Sequence, residues 1–117
     1  MGDRANVLVR EYSEDNGVYL YTHWNGSELP FALQEALAKE WRWDDAAYLT
    51  RIIFDVMTKK HHNEETGYGI STYICDGRDR VLIVNSTAKT VSRNEKSWTF
   101  KEYIALSKDE LLMQLKW

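Results

Sequence analysis

The chain has 117 residues, 44% of them hydrophobic and 28% charged, with one proline and a formal net charge of −3. That length suits one domain and is too short for two ordinary ones, so residues 1–117 are read as a single globular unit around one core. The net charge and a pI near 5.6 argue against a nucleic-acid module, which needs a basic footprint. A single cysteine, Cys75, rules out an intramolecular disulfide and favours a reducing, cytoplasmic compartment. The opening "MGDRANVLVRE" has no secretory pattern, and no apolar run approaches the ~20 residues of a membrane helix.

Asn6–Arg10 is apolar and β-branched enough for a strand, and "SEDNG" (Ser13–Gly17) is a turn. Val18–Thr22 reads as the partner strand, with Val18 and Leu20 on one face and Tyr19, Tyr21 and His23 on the other. Ser27 is the expected N-cap of a helix over about Glu28–Trp41, with Pro30 in its first turn. Asp44 is expected to cap a second helix, whose Tyr48, Leu49, Ile52, Ile53, Val56 and Met57 form a wide apolar stripe.

Lys59–Gly67 reads as a charged loop. Tyr68–Cys75 reads as a strand, and the Asp-Gly of "DGRD" predicts a tight hairpin to Arg80–Asn85. Thr90–Ser92 is a candidate fifth strand, and Ser97 or Thr99 can cap one helical turn through Tyr103. Ser107 with Glu110 three residues later is a capping box opening a last helix. The order is ββααββ(β)α, which predicts an α+β fold: a mostly antiparallel sheet of four or five strands with about three helices on one face.

The densest run of chemically capable side chains is "THWNG". His23 at a strand-to-helix junction is the candidate general base, Trp24 can stack on a planar ligand, and the helix start can hold an anion. The structural alternative has Asn25-Gly26 making the turn, Trp24 filling the core edge and His23 making a packing hydrogen bond. Hairpin pairing with Arg10 beside Val18 sets Ala5 near His23. Arg4, Asn6, His23, Trp24 and Asn25 then form one neighbourhood, with Asp3 beside it. That set can bind a phosphate or carboxylate, or close on itself.

"HHNEE" (His61, His62, Glu64, Glu65) reads as a solvated charged loop rather than a metal site, because adjacent histidines diverge and a metal needs three or four convergent ligands. The two glycines of "TGYGIS" allow a bulge or a close approach at Tyr68. Cys75 has no histidine at an interpretable spacing, and no nucleophile elbow or phosphate loop is present. No metal or cofactor is therefore assigned.

"MGDRAN" together with "YLYTHWNG" resembles a pattern in small uncharacterised proteins of microbes and their viruses. These begin Met-Gly-(Asp or Asn)-Arg-Ala-Asn and continue with Tyr-x-His-Trp-x-Gly. "DDAAYLTRIIFD" and "ETGYGIS" are similar to the same set. The resemblance implies a microbial or mobile-element protein and brings no activity with it. With five Trp, seven Tyr and three Phe, the chain is rich in the side chains that anchor interfaces. The leading expectation is a cytoplasmic protein-binding domain, a regulator or inhibitor rather than an enzyme. The alternatives are a binder or enzyme for a small nucleotide-like anion at the His23 neighbourhood, and a nucleic-acid-associated module. A homodimer covered by Trp98, Phe100, Tyr103 and Trp117 is a further expectation.

Overall fold

The computed structural model describes residues 2–12, 16–74 and 76–117. Ser13–Asp15 of the predicted turn and Cys75 at the end of the predicted strand lie outside the described residues. The rest forms an α+β fold with six strands and four helices. The strands are β1 (Ala5–Arg10), β2 (Val18–Thr22), β3 (Tyr68–Ser71), β4 (Val81–Asn85), β5 (Thr90–Arg93) and β6 (Lys96–Thr99). The helices are α1 (Leu29–Ala38), α2 (Ala46–Thr58), α3 (Phe100–Ala105) and α4 (Lys108–Leu115).

The strands form one sheet in the order β3-β2-β1-β4-β5-β6. Four of the neighbouring pairs are antiparallel, and β1 with β4 at the centre is parallel. The sheet is thus mixed, with one strand more than expected. β6 escapes a pattern search because Trp98 is the one buried residue in its four. The Asp-Gly signal does not produce a hairpin between β3 and β4. β3 pairs with β2 and β4 with β1, so the connection crosses the sheet. Gly77 sits at φ +74, where a Cβ would stand 3.0 Å from the Ala5 nitrogen. Asn6 Nδ2 donates to the Asp76 carbonyl at 2.6 Å. The glycine therefore lets the crossing chain lie down on β1. β1 and β4 are the most continuously apolar strands, and burial at the sheet centre satisfies them better than a local hairpin would.

The predicted hairpin register is off by one. Ala5 faces Thr22 and Val9 faces Val18. The face assignment within β2 holds, since Leu20 is fully buried while Tyr19 and Tyr21 are half-buried. Val7, Val9, Leu20, Leu82, Val84 and Val91 meet Leu33, Leu37, Leu49 and Ile53 from the helices in one core cluster. Each fully buried aliphatic there contributes roughly 1.5–3 kcal/mol.

The helix caps follow the sequence closely, with two exceptions. Thr99 and Ser107 both form complete capping boxes. Asp45, rather than Asp44, caps α2 by accepting from the Tyr48 amide at 3.1 Å. Ser27 makes no side-chain cap, and the N-cap position of α1 is Glu28. α1 stops at Ala38, short of Trp41, because Trp43 Nε1 takes the Leu37 carbonyl at 3.0 Å and Glu40 turns to φ 57. Three of the four aromatics expected at a dimer interface belong to the interior: Trp98, Phe100 and Tyr103 are buried, with Tyr103 donating its hydroxyl to the Pro30 carbonyl at 2.9 Å, while Trp117 is half-buried. No helix among the described residues is long and apolar enough to cross a membrane.

Candidate functional site

The N-terminal segment and the end of β2 meet, as the hairpin arithmetic requires. Asp3 N–H donates to the His23 carbonyl at 2.7 Å, and Gly26 N–H donates to the Asp3 carbonyl at 2.7 Å. Gly26 is there for close approach. A Cβ on it would stand 2.6 Å from the Asp3 carbonyl oxygen, a backbone atom that cannot swing aside. The Asp3 carboxylate accepts the Ser27 amide at 2.9 Å and pairs with the Arg80 guanidinium. The anion predicted for this helix start is thus the protein's own Asp3. It satisfies a backbone N–H of the 3-10 turn Gly26–Glu28 that leads into α1. Partial burial raises the Asp3 carboxyl pKa, but hydrogen bonds from Arg80 and Ser27 outweigh that and hold it below its usual value of 3.8.

His23 is bracketed in the same way. Its Nδ1 accepts from Tyr21 Oη at 2.8 Å and from Arg4 Nε at 3.3 Å. A guanidinium only donates, so Nδ1 is the acceptor and the neutral ring carries its hydrogen on Nε2. The one basic lone pair of the ring is engaged, which leaves His23 poorly arranged as a general base. Arg4 also lies 3.9 Å from the Asp76 carboxylate. Asn6 is buried and spends its amide on the β3–β4 connection. Asn6 and His23 therefore close on neighbouring groups, whereas Arg4, 43% exposed, also lines an open depression with Gly2, Gly77, Asp79, Arg80 and Trp117.

Trp24 does not fill the core edge. It is 51% exposed, edge-on to His23 at 4.2 Å between ring centroids. Gly67, at φ +105, lets the chain pass beneath its indole; a Cβ would meet Nε1 at 2.6 Å. Arg80 and Trp117 complete the neighbourhood, and no local sequence signal points to them. The guanidiniums of Arg80 and Arg93 both lie over the Trp117 ring, at 5.4 and 4.8 Å, and its Nε1 donates to the Gly26 carbonyl at 2.7 Å.

Asn25 is turned away from this cluster. Its Nδ2 donates to the Tyr68 hydroxyl at 2.5 Å, and it lines a cleft of about 380 Å³ between α1, the end of α2 and the start of β3. Leu29, Phe31, Ala32, Val56 and Met57 contribute the apolar surface of that cleft. His61 lines it as well, stacked on Tyr68 at 5.8 Å and held through Nδ1 by Glu64 at 2.9 Å. "HHNEE" is thus only partly a solvated loop: His61 is ordered by its partners, whereas His62 is exposed. The described residues contain no group of three metal-capable side chains.

A second surface lies at the opposite end of α2. Trp41, Arg42, Tyr48, Arg51 and Ile52 line a shallow depression. Trp41 is 57% exposed and Tyr48 49% exposed. Lys39 Nζ sits 4.8 Å from the Trp41 ring centre, and the Arg42 guanidinium 4.5 Å from that of Tyr48. Glu40 and Arg42, which flank Trp41, both take left-handed backbone angles, φ 57 and 55. Composition signals aromatic excess, but only the fold separates displayed aromatics from buried ones.

No protein-family model matches the chain, and neither a curated protein nor a solved structure matches it.

Proposed function

We propose that this is a protein-binding domain, a regulator or inhibitor, whose contact surface is centred on Trp41 and Tyr48. One observation carries the reading: Trp41 is held out in solvent between two non-glycine residues in the left-handed region. Such backbone costs roughly 1–2 kcal/mol per residue and persists where function needs it. Trp, Tyr and Arg are the residues most enriched among binding hot spots, and cations stacked on the rings hold them in place before a partner arrives. A net charge of −3 supports a protein partner over a nucleic acid. The lone cysteine supports a cytoplasmic setting, and the "MGDRAN…YLYTHWNG" resemblance supports a microbial or mobile-element origin. The bracketed lone pair of His23 favours binding over catalysis at that neighbourhood.

The test is affinity capture from microbial extract with quantitative mass spectrometry, run in parallel on wild type, Trp41→Ala and Trp24→Ala. The expected result is a partner retained by Trp24→Ala and lost, by tenfold or more, with Trp41→Ala. Capture that ignores Trp41 would overturn the proposal.

A further inference from the structure

The cleft at the C-terminal end of α2 is independent of the Trp41 surface. Three features define what it can hold. Its volume of about 380 Å³ lies at the small end of ligand sites, roughly 300–1,000 Å³, which suits one fused ring system and a short substituent. Its apolar surface comes from Leu29, Phe31, Ala32, Val56 and Met57, which accept the face of a flat molecule, with Met57 the most adaptable of them.

The second feature is charge. Of the ionised residues lining the cleft, Glu35 is paired with Lys59 at 2.7 Å. Glu28 and Lys60 oppose each other in sign. The two carboxylates and two ammoniums cancel, so the cleft has no field that would select an anion.

The third is directional hydrogen bonding. Asn25 Nδ2 already donates to the Tyr68 oxygen, so the Tyr68 hydroxyl hydrogen is left to donate elsewhere. The Glu64 carboxylate can only accept, so His61 Nδ1 carries a hydrogen, and in the neutral ring Nε2 is an acceptor. The two rings are stacked, 26° from parallel. A donor and an acceptor are thus carried by two stacked rings that both line the cleft. We propose that this cleft binds a neutral, planar nitrogen heterocycle with an acceptor and a donor along one edge, the chemistry of a nucleobase or nucleoside. Tyr68 donates to it, His61 accepts from it, and Ala32 provides the space.

The experiment is titration of ¹⁵N-labelled protein with adenosine, guanosine, cytidine and uridine to millimolar concentration, followed by amide NMR. The expected result is a saturable shift with at least one nucleoside, mapping to Asn25, Ala32 and His61. Tyr68→Phe, an isosteric change whose dispersed spectrum verifies folding, weakens binding about three- to tenfold, the range of one neutral hydrogen bond. Ala32→Leu fills the cleft and abolishes binding, while Lys96→Ala, exposed on β6 at the other edge of the sheet, leaves it unchanged. Absence of any saturable shift in the folded wild type would overturn the proposal. So would binding indifferent to both Ala32→Leu and Tyr68→Phe. Adenosine monophosphate binding more than tenfold tighter than adenosine would overturn the assignment of a neutral ligand.

Discussion

Replacing Asp3 with alanine tests whether the N-terminal segment is structurally clasped. Asp3→Ala removes the ion pair to Arg80 and the acceptor for the Ser27 amide. A hydrogen bond to a charged group contributes about 1.5–3 kcal/mol when buried. Here the Asp3 side chain is 35% exposed and Arg80 18% exposed, so solvent screening discounts both contacts. Arg80 also keeps the Arg4 carbonyl at 3.2 Å and the Trp117 ring. A combined loss of about 2 kcal/mol follows, which for a domain of this size lowers Tm by roughly 8 °C. Asp3→Asn keeps an acceptor for Ser27 and loses about half as much. The Asp3 pKa is depressed in the folded state, so its contribution is complete above 3.8, the ordinary value, and is lost as pH falls through the lower folded value. Urea denaturation of wild type and Asp3→Ala at pH 7 and at steps below pH 4 reads the difference directly. It should be largest at neutral pH and shrink on acidification. A difference under about 0.5 kcal/mol at pH 7, no larger than an ordinary surface change, would refute the clasp.

Tyr103 gives a second handle. Tyr103→Phe leaves the Pro30 carbonyl without its donor, at a cost of about 1–2 kcal/mol in denaturation experiments. Burial pushes the Tyr103 phenol well above its ordinary value of 10.0. Wild-type stability should therefore fall as pH rises above 10, where the unfolded phenol ionises and the folded one does not, and Tyr103→Phe should flatten that decline. Glu40→Gly should raise the unfolding free energy read from urea denaturation by about 0.5–1 kcal/mol, since glycine adopts φ 57 without a Cβ penalty. A destabilised Glu40→Gly would show that Trp41 is not held at a backbone cost.

Local features were legible in the chain itself. Capping boxes, the apolar stripe of α2 and the alternation of β2 depend on residues within a few positions of one another, so their spacing alone specifies them. The meeting of "GDRAN" with "THWNG" was legible too, because a short hairpin constrains its own ends. What the neighbourhood does was decided by tertiary structure. Asp3 holds the Ser27 amide, in the turn that leads into α1, across 24 residues, and Arg80 reaches Asp3 across 77. No periodicity carries that information. The same holds for the central parallel pair. "DG" specifies a backbone conformation at Gly77, but which strand lies beside β4 is set by burial across the whole sheet. His61 makes the point for function. Its sequence surroundings are those of a solvated loop, and only the end of α2 packed beside β3 stacks it on Tyr68 at the edge of a cleft. Spacing determined most of the elements and the capping boxes of α3 and α4; long-range packing decided the sheet order and which polar groups are consumed in holding the fold.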